Sequence, residues 1–503
     1  MSYTSVFHCL GWTLVLLASL MILPAMTALL DGNTSLAWTF AASAILTGFC
    51  GAAFALATWR GAERFGKREG FMFLVLVWIV LALFGALPLH FSGLPGRPID
   101  AFFEAISGLT TTGATVFSNF DEIPPAILLW RALLQWGGGL LSIVLAVSLI
   151  APLGIGGMEA FQSALPRGEG ASMPSRMLQV AQDLFWIYVL LTLLAAFALW
   201  VAGMSAFDGL CHAFSAISTG GFSTREGGIE SFHSSMIEMV LMAVMLVGAM
   251  NFTLHWAAFN GRFRAFKENA EAYYLTIAIT FLVFAIIVLF VIGDSEIDFV
   301  SYFRSSIFTA VSAITTTGFT NSPVGISDPS ALGGVGGLGG LGGLAVGVLA
   351  PILIIGLVLV GGSTGSTSGG MRLLRIAVLS KQAQRELLRL THPHGVRPLR
   401  LGKVRIQNPV IWSVWSFFFI LILVLAATAL ALAYFGLGTE AAITAAVVSV
   451  SNAGPFLHVI TPGAPGYDEM SDGAKFVLAI AMMAGRVELL ALLSLFNPRY
   501  WNR

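Results

Sequence analysis

Four short segments of small, uncharged residues recur along a very apolar chain, and each contains a glycine. The segments are LTTTGA (109–114), STGGF (218–222), TTTGF (315–319) and SNAGP (451–455). Each follows a stretch of about a dozen residues, too short to cross a bilayer, and precedes a long apolar one. Backbone carbonyls of such residues can line a pore, where their oxygen atoms replace the water around a bare cation. Four copies with similar flanks predict a fourfold pore folded from one chain.

The composition is that of a polytopic membrane protein. Of 503 residues, 57% are hydrophobic and 10% are charged, with a mean hydropathy of +0.85. A soluble domain carries about 25% charged residues. The net charge is zero, so it gives no information about partners, and no nucleic-acid partner is expected. The three cysteines lack any CxxC spacing, which leaves a zinc site or a disulfide framework without support.

Ten apolar runs are long enough to span a membrane at about 20 residues per crossing. They lie near 6–30, 36–59, 71–90, 126–151, 179–203, 233–258, 273–293, 342–360, 411–435 and 474–496. After the first pair, the other eight group as span, short segment, span. This periodicity predicts an all-α fold of four fused span–pore-helix–span repeats around a central ion pore. The predicted units are an extra N-terminal transmembrane hairpin at 1–60 and repeats at 71–152, 179–258, 273–390 and 411–496.

Charge asymmetry predicts the orientation of these spans. The joins between repeats and the C-terminal tail hold 20 of the 26 lysines and arginines, whereas the loops on the opposite side are acidic. The positive-inside rule then places both termini and the joins in the cytoplasm. The four glycine segments enter the membrane from outside, all with the same polarity.

The short segments before the four glycines are predicted to be half-membrane helices. An acidic residue or serine stands thirteen or fourteen residues before each glycine, where an N-cap or first-turn residue is expected: Asp100, Asp208, Ser305 and Glu440. The negative C-terminal ends of four such helices favour a cation at the membrane centre. Each glycine permits backbone angles that aim carbonyls inward. Four ordinary interhelical turns are the alternative.

A second unusual segment, GGSTGSTSGG (361–370), follows the second span of the third repeat. Five glycines in ten residues should break the helix, because each costs about 1 kcal/mol in a helix interior. Irregular backbone at membrane depth is tolerated only where protein buries it or it lines a water cavity. The segment is therefore predicted to lie under the glycine loops. A flexible cytoplasmic linker is the alternative, and the phosphate-loop pattern is absent.

Arg486 lies in the middle of the last apolar run. A charge at this depth costs about 2.5–3.5 kcal/mol on insertion scales and is functional by default. Glu488 is two residues away, on a different helical face, so the two are a poor local pair. Carbonyls or hydroxyls of 361–370 are the candidate partners, and together they would form a barrier to cations. Snorkelling toward the cytoplasm is the alternative.

Five strings carry a resemblance to a known family: TTTGAT (110–115), ISTGGFST (217–224), ITTTGFT (314–320), SNAGP (451–455) and GRVE (485–488). They resemble the Trk/Ktr/HKT superfamily of potassium transporters, and within it the Trk-type membrane subunit of bacteria. The resemblance covers 71–503, and the pair of spans at 6–59 matches the Trk-type branch. The fourth loop departs from the family pattern, with Ala453 where bulkier residues are usual and with Pro455-Phe456 following.

The resemblance implies potassium uptake through a filter and a gate below it. The implied filter residues are Thr111, Thr112, Gly113, Thr219, Gly220, Gly221, Thr316, Thr317, Gly318, Asn452, Ala453 and Gly454. Potassium itself is expected at Thr111, Thr112, Thr219, Gly220, Thr316, Thr317, Asn452 and Ala453. The implied gate consists of Gly361, Gly362, Ser363, Thr364, Gly365, Ser366, Thr367, Gly369, Gly370 and Arg486. Potassium is the transported ion, and no nucleotide is expected to bind this chain.

The resemblance also implies partners: a homodimer in a bacterial inner membrane, membrane lipids and a TrkA-like cytoplasmic nucleotide-binding ring. The basic stretch 371–405 fits either that ring or anionic lipid. Channel-like conduction and sodium- or proton-coupled symport both remain open. A membrane enzyme is disfavoured because the sequence has no HExxH motif and no paired carboxylates inside its spans. A secondary transporter for another substrate is disfavoured because the repeats are parallel and the spans nearly free of acids.

Overall fold

The computed structural model describes residues 3–59, 66–150, 173–264, 269–292, 299–321, 341–392, 398–401 and 404–487. About 75% of the described residues are helical. In the described ranges the only strands are Arg400–Leu401 and Val404–Arg405, which pair antiparallel. Six described helices are individually long and apolar enough to cross a membrane. The predicted all-α polytopic fold is confirmed.

The first two spans form a hairpin whose backbones touch. The helices are Tyr3–Leu20, continued by Ile22–Leu30, and Thr34–Ala57. A Cβ added to Gly11 would lie 2.6 Å from Gly51 O, and one added to Gly51 would lie 2.8 Å from Gly11 O. Only glycine allows this approach, which is how helices pack closely where no hydrophobic effect drives them together.

The remaining helices follow the predicted order of span, half-membrane helix and span. The first repeat contains Lys67–Gly85, Leu87–Phe91, Pro98–Leu109, Pro125–Leu145 and a π-helix at Ala146–Ile150. The second contains Met173–Val201, Ala206–Ile217, a 3₁₀ turn at Glu230–Phe232, Ser235–Ala249 and Phe252–Phe259. The third contains Ala270–Ile292, Phe299–Ile314, Leu341–Val360 and Leu373–Thr391. The fourth contains Asn408–Tyr434, Thr439–Val450, Phe456–Ile460 and Asp472–Val487.

We call Pro98–Leu109, Ala206–Ile217, Phe299–Ile314 and Thr439–Val450 pore helices 1 to 4. Asp100, Asp208 and Glu440 stand in the first turns of their pore helices, as predicted. Ser305 does not: pore helix 3 already begins at Phe299, so Ser305 lies in its second turn. The chain stays helical through Tyr302 and Phe303, and the alignment on glycine spacing missed this extension.

The second span of the second repeat is not the single helix expected over 233–258. Ser235–Ala249 and Phe252–Phe259 meet at an angle of 97°. Asn251 caps the second piece, since its Oδ1 accepts a hydrogen bond from Thr253 N at 2.9 Å. A capping asparagine satisfies backbone donors that a helix break would otherwise leave unpaired. Glu488 and parts of the predicted elements, namely 1–2, 60, 151–152, 293–298, 322–340 and 488–496, lie outside the described residues.

Candidate functional site

The four glycine segments form a closed ring. We call them loop 1 (110–114), loop 2 (218–222), loop 3 (315–319) and loop 4 (451–455). A Cβ added to the glycine of each loop would collide with or crowd the next loop in chain order, and the fourth returns to the first. The pairs are Gly113 with Gly220 O, Gly221 with Thr317 O, Gly318 with Pro455 Cδ and Gly454 with Ala114 N. Loops 1, 2 and 4 therefore touch the next loop through its backbone and loop 3 touches the Pro455 ring, which the absence of a side chain at each glycine permits.

The second residue of every loop is a non-glycine residue in the left-handed backbone region. These residues are Thr111 (φ 52°), Thr219 (φ 52°), Thr316 (φ 55°) and Asn452 (φ 54°). This conformation costs an L-residue about 1–2 kcal/mol. In all four loops the N–H of the next residue donates to the carbonyl five residues earlier, from Thr112 N to Ser107 O at 2.8 Å through to Ala453 N to Val448 O at 2.7 Å, so the left-handed residue is the one that ends the preceding pore helix. The sequence had suggested special backbone angles only at the glycines.

In loops 1 to 3 the glycine is left-handed too. The φ angles are 77° at Gly113, 80° at Gly221 and 90° at Gly318. An intervening residue with ordinary φ separates the two left-handed positions in each loop. Such alternation turns successive carbonyls toward the same side of the chain, an arrangement suited to stacked rings of oxygen ligands.

Several buried carbonyls in these loops have no partner. Within the described ranges, the carbonyl oxygens of Thr111, Thr219, Gly220, Thr316 and Thr317 accept no hydrogen bond. All five residues are buried. Buried backbone carbonyls are normally paired with protein or ordered water, so a group of orphans calls for an explanation. A dehydrated cation supplies one.

Loop 4 is built differently. Gly454 N donates to Thr112 O at 2.7 Å, and Gly454 O accepts from the Tyr467 hydroxyl at 2.9 Å. Ala453 O accepts from Phe456 N at 3.2 Å. Gly454 does not take the left-handed conformation of its three counterparts. Two of the expected potassium ligands, the carbonyls of Thr112 and Ala453, are therefore already engaged by protein donors.

The cause of this difference is local sequence. Pro455 has φ −62° and ψ −19°, and it immediately precedes the short helix Phe456–Ile460. Proline fixes φ near this value and disfavours a helical conformation of the residue before it. Gly454 thus stays outside the left-handed region while Pro455 starts a helical turn, and the carbonyls of Ala453 and Gly454 accept hydrogen bonds from Phe456 N and Leu457 N of that helix.

The segment 361–370 is irregular, and it lies directly beneath the ring. The preceding helix ends at Val360 and the next begins at Leu373. Gly369 N donates to Thr316 Oγ1 at 2.7 Å, and Thr219 Oγ1 donates to Thr367 Oγ1 at 3.2 Å. A Cβ on Gly369 would collide with Ser451 O. The segment therefore touches loops 2, 3 and 4, and all ten of its residues are at least half-buried.

The bend in the second repeat holds this segment in place. Ser363 N donates to Ala249 O at 2.9 Å, and Phe252 N donates to Gly365 O at 3.1 Å. Both Ala249 and Phe252 flank the break, so the segment satisfies backbone groups that the break exposes. On another side, Thr364 N donates to the Glu271 carboxylate at 3.1 Å.

Arg486 joins the ring to the segment beneath it. Its Nε donates to Thr110 O at 2.6 Å, while Nη1 donates to Thr367 O at 2.5 Å and to Ser368 O at 3.3 Å. The residue is 5% exposed, so the guanidinium is buried and does not snorkel to solvent. Carbonyl oxygens are suitable partners for a buried cation because each contact is a charge-assisted hydrogen bond.

Three residues near the site were not singled out from the sequence. Glu104 and Arg131 form a fully buried ion pair at 2.6 Å, and the Arg131 guanidinium lies 4.1 Å from the Phe222 ring centroid. This contact links the support of loop 1 to loop 2. Glu271, which is 2% exposed, was the third. The available signal was a charged residue in an otherwise apolar helix, which is rarely placed without a partner.

The fold and this ring define a multi-pass membrane protein with re-entrant pore loops. The chain belongs to the TrkH family, described as cation transport proteins, whose family model matches residues 39–335 and 340–503. The Trk system potassium uptake protein TrkH of Vibrio parahaemolyticus is 35% identical over 509 residues, covering 100% of both chains. The protein of that name from Escherichia coli K12 is 34% identical over 513 residues, again with 100% of both chains covered. The resemblance seen in the sequence is confirmed.

A solved structure agrees with the fold over the whole chain. The crystal structure of the potassium transporter TrkH from Vibrio parahaemolyticus superposes with a TM-score of 0.87 at 33% identity. The match covers 100% of each chain.

Proposed function

We propose that this protein takes up potassium across the bacterial inner membrane through the ring of four glycine loops. The observation that carries the proposal is the group of buried carbonyls in loops 1 to 3 that accept no hydrogen bond from the described protein. The relatives are potassium uptake proteins by name, which supports the choice of ion.

The proposed ion ligands are the carbonyls of Thr111, Thr219, Gly220, Thr316 and Thr317. Loop 4 would contribute the backbone carbonyl of Asn452, which stands at the position of Thr111, Thr219 and Thr316 and likewise accepts no hydrogen bond in the described ranges. We leave out Thr112 and Ala453 because their carbonyls are engaged. The C-terminal ends of the pore helices point at the same place, and their partial negative charge favours a cation without any formal charge.

The proposed gate is the segment 361–370 together with Arg486. It fits a barrier because the segment fills the space below loops 2 to 4 and the guanidinium stands between it and loop 1. A buried positive charge on the conduction path repels potassium strongly, since little solvent screens it. Glycine-rich backbone can move at small cost in packing, because few side chains must be displaced.

Orientation and assembly complete the proposal. Both termini lie in the cytoplasm, the protein forms a homodimer, and a TrkA-like nucleotide-binding ring regulates it from that side. The helix Leu373–Thr391 supports a cytoplasmic docking role, because it follows the gate directly and exposes both Leu387 and Leu390 beside charged residues.

Potassium uptake into proteoliposomes tests the function. The wild-type protein should accumulate potassium, and rubidium should compete for entry. Gly113→Ser should lower both potassium uptake and its preference over sodium, because its side chain would strike Gly220 O. Gly93→Ser is the matched control: Gly93 has a similar φ of 79°, but nothing lies within 4 Å of its Cβ position. Absence of uptake by well-folded wild-type protein would overturn the proposal.

The same preparation distinguishes a channel from a coupled symporter. Uptake is measured with and without an imposed sodium or proton gradient. Potassium flux that follows the potassium gradient alone indicates channel-like conduction. Potassium accumulation against its own gradient, driven by sodium or protons, indicates symport.

A further inference from the structure

The ring of Pro455 stands among the three other glycine loops. A Cβ added to Gly113, Gly221 or Gly318 would lie 3.2, 3.3 and 2.7 Å, respectively, from an atom of the Pro455 ring. A Cα–Cβ bond is roughly 1.5 Å long, so the ring is within about 5 Å of all three glycine Cα atoms. Because the Pro455 side chain is that close to three of the four loops, it must lie near the centre of the ring that the loops form.

The surroundings hold this proline ring in place. Gly454, before it, is fixed on both sides by Thr112 O and the Tyr467 hydroxyl. Phe456, after it, is 0% exposed, and Tyr467 is 4% exposed. The ring presents only CH₂ groups to the other loops, so it offers a cation no ligand. Loop 4 supplies an apolar wall at a level where the other three loops carry glycine.

Building on the proposed function, we propose that the Pro455 ring is a size-determining constriction in the filter. A cation that passes this level is coordinated by loops 1 to 3 and must displace the ring. A larger ion must displace the Pro455 ring further, so the energy required grows with ionic radius. The apolar ring offers no oxygen ligand that would offset this energy. Pro455 therefore sets both the largest cation accepted and the rate at which smaller ones pass.

Pro455→Ala tests this directly. Alanine accepts the observed φ and ψ, so the start of the helix Phe456–Ile460 is preserved while the ring is removed. The matched control is Pro462→Ala, in the same outer connection but exposed. Uptake of potassium, rubidium and caesium is measured into proteoliposomes per folded protein. We expect the caesium-to-potassium ratio to rise about tenfold in Pro455→Ala, the discrimination typical of a small apolar group in a pocket, and to stay unchanged in Pro462→Ala.

A second variant keeps the proposal testable if Pro455→Ala does not fold. Tyr467→Phe removes only the hydroxyl that binds Gly454 O, and it should raise the same ratio less. If the wild type transports potassium but the ratio is unchanged in folded Pro455→Ala, or in folded Tyr467→Phe where the first does not fold, the constriction is refuted and the proposed function stands. If the wild type takes up no potassium, the proposed function fails, and the constriction fails with it.

Discussion

Loops 1 to 3 and loop 4 start alike and end differently. All four place a left-handed residue at the same position, from Thr111 to Asn452, with φ between 52° and 55°. The first three then present carbonyls without hydrogen-bond partners, whereas loop 4 uses the carbonyls of Ala453 and Gly454 to begin a new helix. The difference shows that a ring of four parallel repeats need not have fourfold chemistry. When the four repeats are fused in one chain, each loop can diverge separately, and loop 4 can present an apolar surface in place of carbonyl ligands.

The largest expected effect contrasts the glycines of the two kinds of loop. Gly221→Ala should lower the potassium-over-sodium uptake ratio about a hundredfold, because it combines strain at positive φ with displacement of an ion ligand. Its Cβ would strike Thr317 O. Gly454→Ala should change the ratio less, since its neighbours at Ala114 line no proposed ion site.

Gly227→Ala controls for backbone strain in that experiment. Gly227 has φ 77° and nothing within 4 Å of its Cβ position, so its substitution carries the strain without the collision. Equal losses of selectivity in Gly221→Ala and Gly454→Ala would mean that the four loops coordinate the ion equivalently. That outcome would remove the distinction between ligand loops and wall.

The second prediction concerns Arg486 and has a smaller expected effect. It should not alter the difference between loops 1 to 3 and loop 4. Arg486→Ala removes the buried cation below the ring and should raise potassium flux about tenfold, which corresponds to ~1.4 kcal/mol of barrier. The potassium-over-sodium ratio should stay near the wild-type value, because the filter loops keep their ligands. Flux is measured per folded protein, so that impaired folding is not mistaken for a closed pore. Reduced flux in a well-folded variant would show that Arg486 is a structural anchor.

The smallest effect concerns the hold on the segment 361–370. Glu271→Gln keeps an acceptor for Thr364 N but removes the negative charge. The hydrogen bond is no longer charge-assisted and weakens by about 1 kcal/mol, so basal flux should rise about fivefold. Glu226→Gln, at an exposed site, is the control. If neither flux nor its regulation changes, the hydrogen bonds to the bend near Ala249 are sufficient to keep the segment 361–370 in place.

The elements that local composition determines were predictable from the sequence. The lengths of the apolar runs predicted the spans, and five glycines in ten residues predicted the break in the helix at 361–370. The start of pore helix 3 was placed too late because serine at a fixed spacing was taken for a helix start. The bend after Ala249 was missed because a single asparagine inside an apolar run is a weak signal.

Contacts between distant parts of the chain were not predictable in the same way. Loop 4 is held in its position by Thr112, which belongs to another repeat, and by Tyr467, thirteen residues after Gly454. The Glu271 contact with Thr364 spans 93 residues. Nothing in the spacing of one sequence specifies such pairs, since they arise only when four repeats close into a ring. Pro455 itself was visible as a departure, but its place at the centre was not.

One guanidinium holds a carbonyl of loop 1 and a carbonyl of the segment beneath the ring at the same time. Under the proposed function this makes the two levels a linked thermodynamic system. If opening of the gate changes the affinity of the glycine loops for potassium by some factor, then bound potassium changes the equilibrium between closed and open gate by the same factor. Occupancy by the transported ion is then itself an effector, acting through Thr110 and Arg486 before any cytoplasmic partner does.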